Sequence, residues 1–339
     1  MLKIIFSGFA LFAFFSASNI FAQTTIVNPK IVIAPPRPPS KPRQAHKTVR
    51  NESEIPAEKF IVVDTKVNIS LCVSEGNVKI NGWQRDEIRA FVSGGSDAGF
   101  SVRDKNNQTG KPNLITVLGF DPSKKTETGL DECLSGDSIE LDVPRGASVD
   151  ITGRENDISI SSVNKVTVKN DDGNILLNDI AQGIEARTYQ GDITVEKSSG
   201  AMTLINTNGN IVALDTAAND VGDVLRARTS SGGISLQQVA QKQIEANSNT
   251  GSIRFDGAFA SGGQYAFGTT NGAINLLIPA ASSFKIEAFY SGAFQSEIPL
   301  KIVTEDVMPQ IKKLNAIIGA GDANLSLKNI SGAIRIRKK

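Results

Sequence analysis

Two glutamates, Glu185 and Glu245, stand at equivalent places in repeated segments, with Arg187, Arg226 and Arg228 in the same kind of segment. Two carboxylates held about 5–10 Å apart are the apparatus of glycoside hydrolysis. A polysaccharide lyase or glycosidase built on Glu185 or Glu245 is therefore the catalytic reading open to this chain. Against it, both glutamates occupy the polar positions of alternating segments, where a charged side chain belongs in water. Other chemistries lack their parts. His46 is the only histidine and lies in a proline-rich stretch, so the rest of the chain has none for a Ser-His-Asp or Cys-His arrangement or for metal ligation. No Gly-x-x-x-x-Gly-Lys-Ser/Thr phosphate loop occurs. Asp171-Asp172, Gly191-Asp192 and Gly321-Asp322 lack the Gly-Gly-x-Gly-x-Asp beat of calcium solenoids and read as corner residues. No catalytic residue, cofactor or metal is expected.

Cys72 and Cys133 are the only cysteines. In an oxidising compartment they can form one bridge, or they can remain two separate buried thiols. Without companion histidines they do not suggest zinc.

The elements that must carry these residues repeat. Gly173, Gly191, Gly209, Gly232, Gly251 and Gly272 follow at intervals of 18, 18, 23, 19 and 21 residues, with Gly76 before them and Gly332 after. Two residues past each glycine stands a β-branched side chain (Val78, Ile175, Ile193, Ile211, Ile234, Ile253, Ile274, Ile334), and four past it a second apolar one in nearly every unit. Seven and five residues before it the alternation recurs, as in Val166 and Val168, Ile184 and Ala186, or Leu225 and Ala227. Period-two patterning with one apolar side predicts half-buried strands. Asn, Asp, Ser or Thr ahead of each glycine predicts a corner. Asn156 takes the glycine's place in one unit, as a residue tolerant of left-handed backbone.

A unit of ~18–21 residues with two strands and two corners cannot bury its apolar side alone, whereas stacked units can. The expected fold is therefore all-β, a parallel β-helix or β-solenoid of such coils over residues 59–339. Irregular insertions are expected near 94–137 and 279–316, the second holding a short helix near Met308 to Leu314. The basic terminal strand Ile334–Lys339 is expected to lie on an open edge and to oppose end-to-end stacking.

Residues 1–22 read as a signal peptide: Lys3, an uncharged apolar run from Ile4 to Phe15, then a cut at Ala22-Gln23. Residues 23–58 contain Ala34-Pro35-Pro36-Arg37-Pro38-Pro39, a proline-rich basic linker suited to extended polyproline II. No later apolar run is long enough to cross a bilayer, so no transmembrane segment is expected after cleavage. With 36 basic and 35 acidic residues the chain has no overall field to recruit nucleic acid, which is not expected as a partner.

The run Leu141-Asp142-Val143-Pro144-Arg145-Gly146-Ala147-Ser148-Val149, serial units such as Asp172-Gly173-Asn174-Ile175, then Leu277-Ile278-Pro279-Ala280-Ala281-Ser282 and Ser331-Gly332-Ala333-Ile334 carry a family resemblance. The chain resembles the exported bacterial β-strand-repeat family of candidate adhesins, a domain of unknown function. The resemblance spans roughly residues 60–339. It implies a stacked β-helix-like fold, export, and an adhesive or scaffolding role without catalytic residues. The expectation is an exported, non-catalytic structural or interaction protein, in the periplasm, on the cell surface or secreted. It would present polar strand faces, with Asn174, Asn178, Asp192, Thr194, Ser235, Gln237, Arg254 and Asn275 pointing outward, to an envelope or extracellular protein or polysaccharide.

Overall fold

The computed structural model describes residues 58–103, 110–120 and 133–339. The expected export segment, the linker up to residue 57 and His46 lie outside the described residues. Among the described residues the fold is all-β, without a helix, and mostly parallel strands wind into a β-solenoid.

The alternating segments become strands in chain order. They are β1 (Lys59–Val62), β2 (Asn68–Trp83), β3 (Glu87–Ser93), β4 (Asp97–Val102), β5 (Leu114–Phe120), β6 (Leu134–Pro144) and β7 (Ser148–Ser161). Then come the regular pairs, one strand before and one after each corner glycine: β8 (Lys165–Asp172) and β9 (Ile175–Asn178), β10 (Ile184–Gln190) and β11 (Ile193–Glu196), β12 (Met202–Asn208) and β13 (Ile211–Thr216). The pairs continue with β14 (Val224–Ser231) and β15 (Ile234–Val239), β16 (Gln243–Thr250) and β17 (Ile253–Asp256), β18 (Gln264–Asn271) and β19 (Ile274–Ile278). The last strands are β20 (Phe284–Tyr290), β21 (Ala293–Ser296), β22 (Lys301–Val307), β23 (Lys312–Ile318), β24 (Ala323–Ser331) and β25 (Ala333–Lys338).

Each rung pairs in parallel with the rungs above and below, and its register sets like residues over like. Val166, Ile184, Met202, Leu225, Ile244, Tyr265 and Leu325 form one inward column on the first face. Ile158, Ile175, Ile193, Ile211, Ile234, Ile253, Ile274 and Ile334 form another on the second. All of these side chains are buried. A one-residue slip would turn a whole rung's apolar set outward, so burial of one side holds the register.

The corners explain the glycines. At Gly191 the backbone has φ +124°, and a Cβ there would lie 2.2 Å from the carbonyl oxygen of Gly173 one rung away. The contact repeats up the stack, with Gly209, Gly232, Gly251, Gly272 and Gly332 each over the preceding glycine's oxygen at 1.9–2.2 Å from the would-be Cβ. Space demands glycine even where conformation does not, because Gly272 is not among the residues of positive φ. Nor is Asn156, which occupies the same place. Its side chain is instead buried in the corner, where its Nδ2 donates to Val73 O and to Asn170 Oδ1. The left-handed residues outside glycine fall at the opposite corner: Ser162, Asp179, Lys197, Asp215 and Gln238, with φ between 47° and 58°.

Three residues before each glycine a polar side chain turns inward: Asn170, Thr188, Asn206, Thr229, Ser248, Thr269 and Asn329, all buried. Six of the seven donate to the corner carbonyl one rung away, as Asn206 Nδ2 does to Gly191 O at 3.1 Å and Thr269 Oγ1 to Gly251 O at 2.8 Å, while Thr188 Oγ1 donates to Gln190 O at 2.8 Å with Gly173 O 3.4 Å away. A buried carbonyl left unpaired would cost about 1–3 kcal/mol. Asparagine fills the place less well than threonine, since Asn206 Oδ1 and Asn329 Oδ1 are buried without a hydrogen-bond partner. Asn206→Leu is expected to lower unfolding free energy by about 2 kcal/mol, whereas Asn206→Thr should match or exceed the parent. Denaturant titration of the two variants checks this ordering.

The rungs do not stack in chain order. β2 lies between β7 on one side and β5 with β6 on the other, so strands inside the expected 94–137 interruption belong to the stack. β24 and β25 lie between β18–β19 and β20–β21. The basic C-terminal strand is therefore internal, bonded on both sides, and does not form the open edge expected for it. Arg335 and Arg337 lie on outward positions of a paired strand while Ile334 and Ile336 fill the core. Antiparallel strands lie at the ends: β4 on β5, β3 and β1 beyond β6, and β23 and β22 beyond β20. The helix expected near Met308 to Leu314 is absent. Residues 308–311 turn, and Lys312–Ile318 is strand β23, because Leu314, Ala316 and Ile318 alternate into the core with period two.

Candidate interaction surface

Outward side chains of the first-face strands also stand in columns. One runs Asp150, Thr167, Glu185, Thr203, Arg226, Glu245, Ala266, Ser326, Glu287; its neighbour runs Thr152, Lys169, Arg187, Ile205, Arg228, Asn247, Gly268, Lys328, Phe289. Glu185 and Glu245 thus share a column, but Thr203 and Arg226 stand between them. Three rung spacings of ~4.8 Å put them about 14 Å apart, beyond the separation that paired carboxylates need to act on one glycosidic bond. Each instead meets an arginine in solvent: Glu185 lies 3.0 Å from Arg187 Nε, and Glu245 lies 3.8 Å from Arg226 Nε. Among the described residues no group of histidine, cysteine, aspartate and glutamate side chains could hold a metal. Among the described residues no helix is long and apolar enough to cross a membrane.

The first face is not flat. Along β18 the outward side chains shrink to Ala266 and Gly268, while Glu245 and Asn247 stand on one side and Ser326 and Lys328 on the other. Two shallow depressions of about 280 and 290 Å³ lie end to end over this strand. Their lips carry Arg226, Glu245, Gln243, Asn324 and Ser326 at one end, and Arg228, Asn247, Asn249, Lys328 and Ile330 at the other. A third depression, about 580 Å³, continues past Gln264 to Lys285, Glu287 and Asn315. Under the trough the floor is stiff. Phe255, Phe259, Tyr265 and Phe267 pack with ring centroids 4.5–6.3 Å apart, and Phe259 meets Phe284 edge-on at 4.9 Å. Burial raises the Tyr265 phenol above its ordinary pKa, partly offset by the Ala260 N–H that donates to its oxygen.

The second face offers less free polarity than its sequence suggests. Asn174 and Asp192 belong to a corner ladder: Asp157 accepts from Asn174 N, Asn174 from Asp192 N, Asp192 from Asn210 N and Asn210 from Gly233 N, at 2.7–3.0 Å. Asn178 Nδ2 donates to Glu196, and Gln237 Nε2 to Ser235. Leu176, at 42% exposure, interrupts the polar positions. The Asn/Asp after Gly173, Gly191 and Gly209 is thus an internal clamp. The trough of the first face depends on small residues meeting across rungs, for which the repeat pattern holds no signal. Elsewhere, the sulfurs of Cys72 and Cys133 are joined, with Cα atoms 4.6 Å apart.

A glycine-cornered parallel solenoid flanked by antiparallel strands, with a shallow polar trough and with Glu185 and Glu245 too far apart to act as a pair, defines the class of protein. The Toastrack DUF4097 family model matches residues 67–337, and the chain belongs to that family. Among solved structures, a Clostridium sporogenes protein designated a candidate for cell adhesion is similar at 10% identity, covering 84% of this chain and 100% of that one with a TM-score of 0.19, too slight a likeness to bear on function. No curated protein matches.

Proposed function

We propose that this is an exported, non-catalytic interaction protein whose solenoid is a rigid support for the first-face trough, which receives an envelope or extracellular partner. The observation that supports it is the line of small residues, Ala266 and Gly268, between polar and charged lips on a strand of eight residues. A strand of that length spans roughly 25 Å, room for an extended polymer rather than a compact small molecule. Arginine, asparagine and glutamine on the lips offer hydrogen bonds along the trough without a deep pocket. The reading as a lyase or glycosidase is disfavoured by the spacing of Glu185 and Glu245, each of which is engaged by an arginine.

Retention of envelope-fraction components and binding to glycan arrays test the reading. Ala266→Trp fills the trough from an outward position, where substitutions change stability by about 0.5 kcal/mol or less. The variant is expected to lose the bound partner at least tenfold while melting as the parent does. Retention unchanged by Ala266→Trp, or no ligand retained under any condition, would count against the trough. Release of reducing ends from a polysaccharide, abolished by Glu185→Gln or Glu245→Gln, would establish the enzyme instead.

A further inference from the structure

The stack ends unfinished. Among the described residues β22 pairs only with β23, and every residue from Lys301 to Val307 is exposed. Ile302, Val303, Val307 and Met308 are each more than half exposed. Behind the strand a cavity of about 490 Å³ opens, lined by apolar side chains such as Tyr290, Phe294, Ile302 and Leu314 and by the carboxylates of Glu297 and Glu305. An unpaired edge strand beside an open cavity is a template for another strand.

We propose that the occupant is β22 of a second copy of this chain, the two strands pairing antiparallel about a twofold axis. The charge pattern of the strand is self-complementary in one register. With Lys301 opposite the second copy's Asp306, Ile302 faces Glu305 and Val303 faces Thr304, and twofold symmetry makes each contact twice. Sidedness agrees. A register shift between Ile302 and Thr304 puts Lys301 and Asp306 on the same side as Ile317 and Lys313, and Ile302 and Glu305 on the side of Ala316 and Leu314. Lys301 of one copy then meets Asp306 of the other on the outer side, where Asp306 also neighbours Lys313, itself 3.0 Å from Glu287. On the inner side Ile302 of each copy faces Glu305 of the other at the mouth of the cavity.

The joined sheet would run β18–β24–β20–β23–β22 into its symmetry mate. It would carry two troughs on one side, nine rung spacings or about 43 Å apart. Pairing thus makes the molecule bivalent, so that two weak trough contacts on one polymer act as one stronger attachment.

Light scattering of the purified chain across a dilution series is expected to show a reversible monomer–dimer equilibrium. Lys301→Asp or Asp306→Lys alone turns two opposed attractions into repulsions and should weaken the dimer about tenfold. The double swap, Lys301→Asp with Asp306→Lys, should restore it to within about threefold. Ala266→Trp should leave the dimer intact, which separates this proposal from the trough. A monomer at every concentration overturns it, as does a dimer indifferent to the single swaps, or one that the double swap fails to rescue.

Discussion

Gly251→Ala is expected to destabilise the fold by about 3–5 kcal/mol, among the largest effects of a single methyl added to this chain. Two costs coincide there. With φ +149°, the backbone sits where an L side chain is strained by about 1–3 kcal/mol. The added Cβ would also lie 1.9 Å from Gly232 O, a backbone atom that cannot move without shifting its whole rung. Other glycines separate the two costs. Gly272 has the clash, at 2.1 Å from Gly251 O, without the positive φ. Gly262 has φ +72° with nothing within 4 Å, and Gly222 has neither. Alanine at 222 should be silent, at 262 should cost about 1 kcal/mol, at 272 more, and at 251 most. Chemical denaturation of the four variants gives the ranking. A Gly251→Ala protein as stable as Gly222→Ala would end the account of rungs stacked carbonyl over glycine.

Removing the bridge by Cys72→Ser with Cys133→Ser comes next. The cysteines are 61 residues apart, and closing a loop of that size restricts the unfolded chain by about 4 kcal/mol in the chain-entropy model. The lost stability should appear first at the N-terminal end, because the bridged segment contains β3, β4 and β5. Amides of those strands should exchange faster in the double variant, while those of β12 to β17 stay protected. Reductant should lower the melting temperature of the parent and leave the double variant unmoved. Equal melting of the parent with and without reductant would show that the bridge carries no stability. A bridge of this kind persists in oxidising compartments, so its contribution bears on the proposed export as well as on the fold.

The glycine beat, the inward columns and the corner side chains were legible because each rests on local patterning. Ile193 and Val195 alternate inward whichever rung lies beside them, and Gly191 marks a corner by its place between two alternating runs. The polar residues before each glycine were legible as corner formers. That the first of the three turns inward to reach a carbonyl one rung away was not, because its partner is 15–20 residues distant in most rungs and 57 in the case of Asn329. The helix expected near Met308 to Leu314 shows the complementary weakness. A short segment after a proline looks the same as helix or strand until Leu314, Ala316 and Ile318 find a core.

Sequence alone determined that this chain is a β-solenoid with glycine corners, since period-two burial and a recurrent corner are properties of each unit. Tertiary structure decided which unit lies beside which. Every rung presents the same aliphatic columns and the same row of backbone donors and acceptors, so the repeat cannot rank its neighbours. The placement of β24 and β25 beneath β20 and β21, the exposure of β22 as an edge at that end, and the trough over Ala266 and Gly268 all arise from contacts between rungs remote in sequence.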